Sequence, residues 1–349
     1  MNLLYRYDGL VFKEKPTEYC DKMAEAIPPP QTKSPKGVLP PDPLFCLKGD
    51  MGPIHSLCFP VREYISTCPL LLASTEDGFV HSWNLDTNRR SHKQNMGTSI
   101  QAIHSIEEDF ITQEKSGTVK LWNLRKSNYH MMKSIETYGG FCKSVLVNAE
   151  LVVPHDQSTL AIIDVANMEK TRTLNPEIEN VGSIMCLTQI EINSRKFILG
   201  AYETGHMVLW DFDAAQAVSS IKLIEHTTSI SYDALTSKGI VGNSSCVLQV
   251  FHIDRNTLEM SIKYETSILN DGINVVKLRE DGKIFAAGCW DNRIRYFSWK
   301  TLRVLAVLTE HKKPVNDIKF SPFPVSQWNS TIMAAGGQDG VISLWNIYM

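Results

Sequence analysis

One short pattern recurs seven times along this chain of 349 residues. A turn residue is followed by a strand of apolar alternation that ends, five places on, in a large hydrophobic residue. The clearest copies are GFVHSW (78–83), GTVKLW (117–122), GHMVLW (205–210) and GVISLW (340–345). Weaker copies, STLAII (158–163), CVLQVF (246–251) and NRIRYF (292–297), fill the gaps. The final positions are Trp83, Trp122, Ile163, Trp210, Phe251, Phe297 and Trp345, so successive gaps are 39, 41, 47, 41, 46 and 48 residues. Upstream of most copies lies a second strand, as in LLLAS (70–74), FILGAY (197–202), IFAAG (284–288) and TIMAAG (331–336). A third precedes it, as in IHSLCF (54–59), INVVKL (273–278) and PVNDIKF (314–320). Each repeat thus supplies three recognisable strands and a weaker outer one. A lone four-stranded blade exposes two apolar faces; stacking blades around an axis buries both and needs no caps.

The turn, the strand and the terminal Trp-Asn or Trp-Asp (83–84, 122–123, 210–211 and 345–346) resemble the WD40 repeat. The predicted fold is all-β, a seven-bladed propeller. Its last repeat stops at the third strand, ISLWNI (342–347), which leaves a bare sheet edge. LFCLKG (44–49) is strand-like and otherwise unassigned, so this N-terminal strand is expected to pair with the last blade and close the ring. Residues 44–349 form the propeller in this reading. Residues 1–43, proline-rich over 27–43, read as a flexible leader, because proline cannot donate to a ladder and favours extended chain.

A net charge of −3 gives no bulk attraction to nucleic acid or anionic membrane. No apolar run approaches the roughly 18 residues of a membrane span, and the N-terminus has no secretory h-region. The eight cysteines include no CxxC pair and read as thiols of a cytoplasmic or nuclear protein. Phosphate-loop, dinucleotide, metalloprotease and nucleophile-elbow motifs are missing from the sequence, so neither cofactor nor metal nor catalytic residue is expected.

The polar residues at repeat-defined places read as structural. Blade one offers Ser74, Asp77 and Trp83, with Asp50 near the place of an expected His. Blade six offers Asp291; blade seven offers His311, Asp339 and Trp345, with Gly336 at the serine place. Together such groups satisfy one another inside a blade, and that explains them better than a Ser-His-Asp hydrolase does. Positions just before the turn face a propeller's rim. Among them Trp290, with Arg293 beside it, suits a partner anchor; Lys115 and Glu203 occupy the same place in other repeats. The basic run 125–133 reads as an exposed blade-to-blade loop.

PPDPLFCLKGDMGPIHSLCF (40–59), LGAYETGHMVLWD (199–211), residues 286–320 and GGQDGVISLWNIY (336–348) resemble the family of guanine nucleotide-binding protein subunit beta-like protein 1 and fungal ASTRA-associated protein 1. That resemblance implies a non-enzymatic scaffold that binds proteins. It further implies a co-chaperone role with the machinery that matures phosphatidylinositol 3-kinase-related kinases, and in fungi a chromatin-linked assembly. A G-protein beta subunit would need an N-terminal heptad helix, which the prolines oppose. A cullin-RING substrate receptor is suggested only by Leu121-Trp122-Asn123-Leu124-Arg125, where Asn123 replaces an acid.

Overall fold

The computed structural model describes residues 6–7, 10–11, 40–61, 66–125, 128–270 and 272–347. The chain divides into two compact units, Met1–Val38 and Leu39–Met349. In the first, Arg6–Tyr7 pairs antiparallel with Leu10–Val11. Most of the expected leader, residues 12–39 included, lies outside the described residues.

Among the described residues of the second unit, the strands form seven antiparallel four-stranded sheets. Blade 1 comprises Ile54–Cys58, Leu70–Thr75, Phe79–Asn84 and Arg89–Asn95. Blades 2 to 6 begin at Ile100, Val145, Ile184, Thr227 and Ile273, each with four consecutive strands. Blade 7 takes Val315–Phe320, Met333–Gly337 and Ile342–Trp345 from one end of the unit and Phe45–Leu47 from the other. The predicted closure is therefore present. Phe45 faces Leu344, Cys46 faces Ser343 and Leu47 faces Ile342, and Leu44 N donates to Leu344 O at 2.8 Å.

The repeat pattern explains the local geometry. All seven repeat-ending residues are buried, from 0% exposure at Trp210 to 7% at Trp122. In blades 1 to 6 a bulge falls directly before this residue, where the third strand meets the outer one. Bulges increase local twist, which turns a flat ribbon into a propeller blade. The outer strands face water and alternate, as in Gln216–Lys222. The inner three strands are apolar on both faces because each face meets a neighbouring blade.

Packing is continuous around the ring. Leu47, Ile54, Leu57, Trp83, Ile342 and Leu344 form one cluster across the closure. Trp210 and Tyr202 join blades 3 and 4; Tyr296 and Trp345 join blades 6 and 7. Six of the described cysteines are free thiols. The basic run 125–133 departs from expectation. Thr118–Arg125 and Asn128–Glu136 are the third and outer strands of blade 2, so the run spans a hairpin within one blade.

Leu47 is wholly buried in the closure cluster. Replacing it with Ala removes packed volume and is expected to cost about 2–4 kcal/mol in chemical denaturation. Leu47→Asp leaves an unpaired charge there and is expected to release the strand, with new protease cleavage near residues 40–50.

Candidate protein-interaction rim

The turns between second and third strands, together with the loops that link blades, form one rim of the propeller. Their rigidity comes from polar groups buried just beneath. In blade 7 these form a chain. His311 lies 3.1 and 3.3 Å from the two Asp339 carboxylate oxygens through Nδ1, and its Nε2 lies 2.8 Å from Ser343 Oγ. Trp345 Nε1 donates to the same Ser343 oxygen at 2.7 Å. The indole can only donate, so Ser343 accepts from it and keeps its own proton for Nε2. Burial alone would raise the Asp339 pKa. Hydrogen bonds from His311 and from the backbone N–H groups of Lys312 and Val341 outweigh that and hold it below the usual range. A β-carbon on Gly337 would collide with His311 and Asp339, so this approach requires glycine.

This set joins His311, Asp339 and Trp345, and its hydroxyl comes from Ser343 and not from the Gly336 position. The order Asp-His-Ser has the look of a hydrolytic triad. Ser343 is 0% exposed and its oxygen is already engaged by Trp345, so no substrate carbonyl can reach it.

Blade 1 departs further. Ser74 Oγ lies 3.5 Å from Ser56 O, and the hydroxyl of the neighbouring Thr75 bonds to Asp77 in its place. Trp83 Nε1 has no hydrogen-bond partner. Ser74, Asp77 and Trp83 are therefore not joined as expected. The position two before the repeat residue, Ser343 in blade 7, is His81 here. His81 is fully buried, with neither ring nitrogen bonded. Burial, reinforced by Arg90 and Lys93, pushes its pKa down to about 4.

The same position is filled by a different polar residue in other blades. In blade 6 it is Arg295, whose guanidinium donates to both Asp291 oxygens at 2.9 and 2.6 Å. In blade 2 it is Lys120, paired with Glu114. In blade 5 it is Gln249, which accepts from Ile224 N at 3.1 Å and donates to Glu265 at 2.9 Å. Asp291 sits at the turn before this strand, and its partner is an arginine. Sequence reasoning missed this position. Its signal was there in five blades, as His81, Lys120, Gln249, Arg295 and Ser343; blades 3 and 4 carry Ala161 and Val208 at this place.

Above these groups lie the proposed contact residues. Trp290 is half-buried against Gly272, where a β-carbon would overlap the indole. Its Nε1 donates to Asn274 Oδ1 at 2.5 Å, and Asn274 in turn donates to Asn316 Oδ1 at 3.2 Å. Arg293 is exposed. Lys115 lies over the Phe141 ring at 4.9 Å, and exposed Glu203 accepts from Ser183 N at 3.4 Å. These residues share the rim but belong to blades 6, 2 and 4, so they form no single patch.

One corner of the rim was not foreseen. Leu269, 67% exposed, precedes Asn270, which donates to Asp291 at 2.7 Å. Asn292 donates to Lys312 O at 3.1 Å, tying the blade 6 turn to the next loop, where Lys312 and Lys313 are exposed. Arg293, Lys312 and Lys313 thus accompany an exposed leucine on a braced turn. Leu121–Arg125, the segment resembling a cullin-receptor box, lies instead in the third strand of blade 2, with Arg125 Nε 3.4 Å from Asn123 Oδ1.

Two measurements test the buried set. Ser343→Ala leaves His311 and Trp345 without their shared partner and is expected to cost about 1–3 kcal/mol. His81 has a folded pKa below its unfolded value of about 6.5. Its contribution is complete above that pH and is lost as pH falls toward about 4. His81→Ser supplies an acceptor for Trp83 and removes the titration. Stability measured from pH 7 to 4 is expected to fall less steeply in this variant, by on the order of 2–3 kcal/mol at the acid end.

Residues 302–346 match the family described as WD domain, G-beta repeat. Guanine nucleotide-binding protein subunit beta-like protein 1 of Mus musculus is 31% identical over 324 residues, covering 88% of this chain and 97% of that protein. ASTRA-associated protein 1 is 24% identical in both Schizosaccharomyces japonicus and Schizosaccharomyces pombe, covering 88% of this chain and 99% of each relative. With a closed seven-bladed ring and this extent of similarity, the chain belongs to the WD40-repeat family of guanine nucleotide-binding protein subunit beta-like protein 1 and ASTRA-associated protein 1.

Proposed function

We propose that this protein is a non-enzymatic scaffold that holds protein partners on its rim in the cytoplasm or nucleus. In this reading it serves as a co-chaperone-type factor for the assembly or maturation of phosphatidylinositol 3-kinase-related kinases and of ASTRA-like chromatin-associated complexes. The observation that carries the scaffold reading is the braced corner of blade 6. Leu269 and Arg293 stand in water there, while Asp291, Arg295 and Asn292 fix the turn beneath them. A rigid turn presenting an apolar side chain among cations loses little entropy on binding and favours an acidic partner segment. The maturation role is supported by family membership and by fungal relatives named for association with ASTRA.

Trp290 fits this role by packing over Gly272 beside the turn that carries Arg293. Its indole N–H is already committed to Asn274, so it fixes the turn more than it reaches outward. Affinity purification of the full chain with mass spectrometry tests both levels. Kinase-maturation chaperones are expected in the wild-type sample. Arg293→Glu combined with Lys312→Glu is expected to reduce their recovery about tenfold without lowering the melting temperature. Recovery of a cullin adaptor in their place, or unchanged recovery with the double variant, refutes the corresponding part.

A further inference from the structure

The seven inner strands surround the propeller axis, and their register defines levels along it. Cys58, His104, Val145, Thr188, Ser231, Lys277 and Lys319 occupy one level. Each pairs with the second-strand residue that follows the partner of the repeat-ending residue. Two lysines on adjacent blades 6 and 7 therefore stand side by side in this level, and no carboxylate shares it. Both are half-buried, and neither ammonium makes a hydrogen bond or ion pair among the described residues. Burial, then the neighbouring Lys319, pushes the Lys277 pKa down to about 8. His104, in the same level, is pushed down to about 4 by burial and by Lys319, and contributes no positive charge at neutral pH.

One level away, the Asp317 carboxylate is already engaged. It accepts from Leu57 N at 2.8 Å and from Ile318 N at 3.1 Å, and lies 3.8 Å from Lys143 Nζ. Lys143, which leads into blade 3, also donates to His55 O of blade 1 at 2.5 Å and approaches Asn316 O of blade 7 at 3.5 Å. It thus crosses the ring and limits what can pass along the axis. Three partly buried ammoniums gather here, and two carboxylates, Asp317 and then Glu280, act on Lys277 against the pull of burial and Lys319.

We propose that Lys277 and Lys319, side by side on the inner strands next to the Lys143 bridge, bind a compact multivalent anion of the phosphate class. Two adjacent ammoniums match the spread charge of a phosphoryl group, and lysine serves such groups as a point charge. A single carboxylate would leave one lysine uncompensated, and the Lys143 bridge favours a small free anion over a chain threaded through the ring. The bound anion removes the repulsion between the two lysines, and binding draws on that relief.

Calorimetric titration of the full-length protein with inorganic pyrophosphate is the test, with a phosphoserine peptide as a second arm. Saturable pyrophosphate binding is expected, weakened about tenfold or more by Lys277→Gln with Lys319→Gln. That variant should fold, since it removes like-charge repulsion, and an unchanged or raised melting temperature checks this. In wild-type protein, pyrophosphate is expected to slow acylation of Lys277 at least fivefold, read by peptide mass spectrometry, and to leave exposed Lys300 unaffected. No binding at millimolar pyrophosphate, equal affinity in the double variant, or unprotected Lys277 overturns the site. Tighter binding of the peptide than of pyrophosphate overturns the small free anion as its occupant.

Discussion

The pairing of Phe45–Leu47 with Ile342–Trp345 holds the rest of the structure in place. A blade is stable only between two others, so each interface presupposes all the rest, and the ring is complete only when its first strand reaches its last sheet. The closing strand is short, and its hold comes from more than backbone pairing. Leu47 enters a core shared by blades 7 and 1. Cys46 and Lys48 reach Glu310 at 3.3 and 3.1 Å, on the loop that precedes blade 7. The closure is therefore fastened by its strand, its core and a neighbouring loop at once.

Within the blades, one buried polar position has been filled in several ways. Blade 7 uses a serine linked to histidine and tryptophan, blade 6 an arginine on aspartate, blade 2 a lysine on glutamate and blade 5 a glutamine. The shared requirement is that the turn above be fixed and the group below be satisfied. The identity of the group is secondary. Blade 1, where His81 and Trp83 lack partners, marks the looser end of this range.

Strand count, blade boundaries and the closing strand were legible in the sequence because each depends on a period that burial imposes. Trp83, Trp122, Trp210 and Trp345 announce it, and even Ile163 keeps its place in the repeat. The hydrogen-bonded sets were legible only in part. Their members lie about thirty residues apart, as His311 and Ser343 do, and which hydroxyl meets which ring depends on the depth of each strand. The repeat pattern suggested Gly336; the distances chose Ser343. The rim corner at Leu269 was invisible for a related reason. An exposed leucine in a loop gains meaning only when Asn270 and Asn292 bring three chain segments together. The paired lysines of the axis were likewise hidden, since INVVKL and PVNDIKF align them only after the blades are stacked.

Lys143 gives the ring a chord. Blade 3 has an inner strand of only three residues, Val145–Val147, and so the least edge with which to hold its neighbours. The lysine ahead of that strand ties it directly to blades 1 and 7, the two that flank the closure. A strain applied at the seam is thus felt at blade 3 without passing through the blades between. The ring behaves less like beads on a loop than like a wheel with one spoke, stiffest along the line from its seam to its slightest blade.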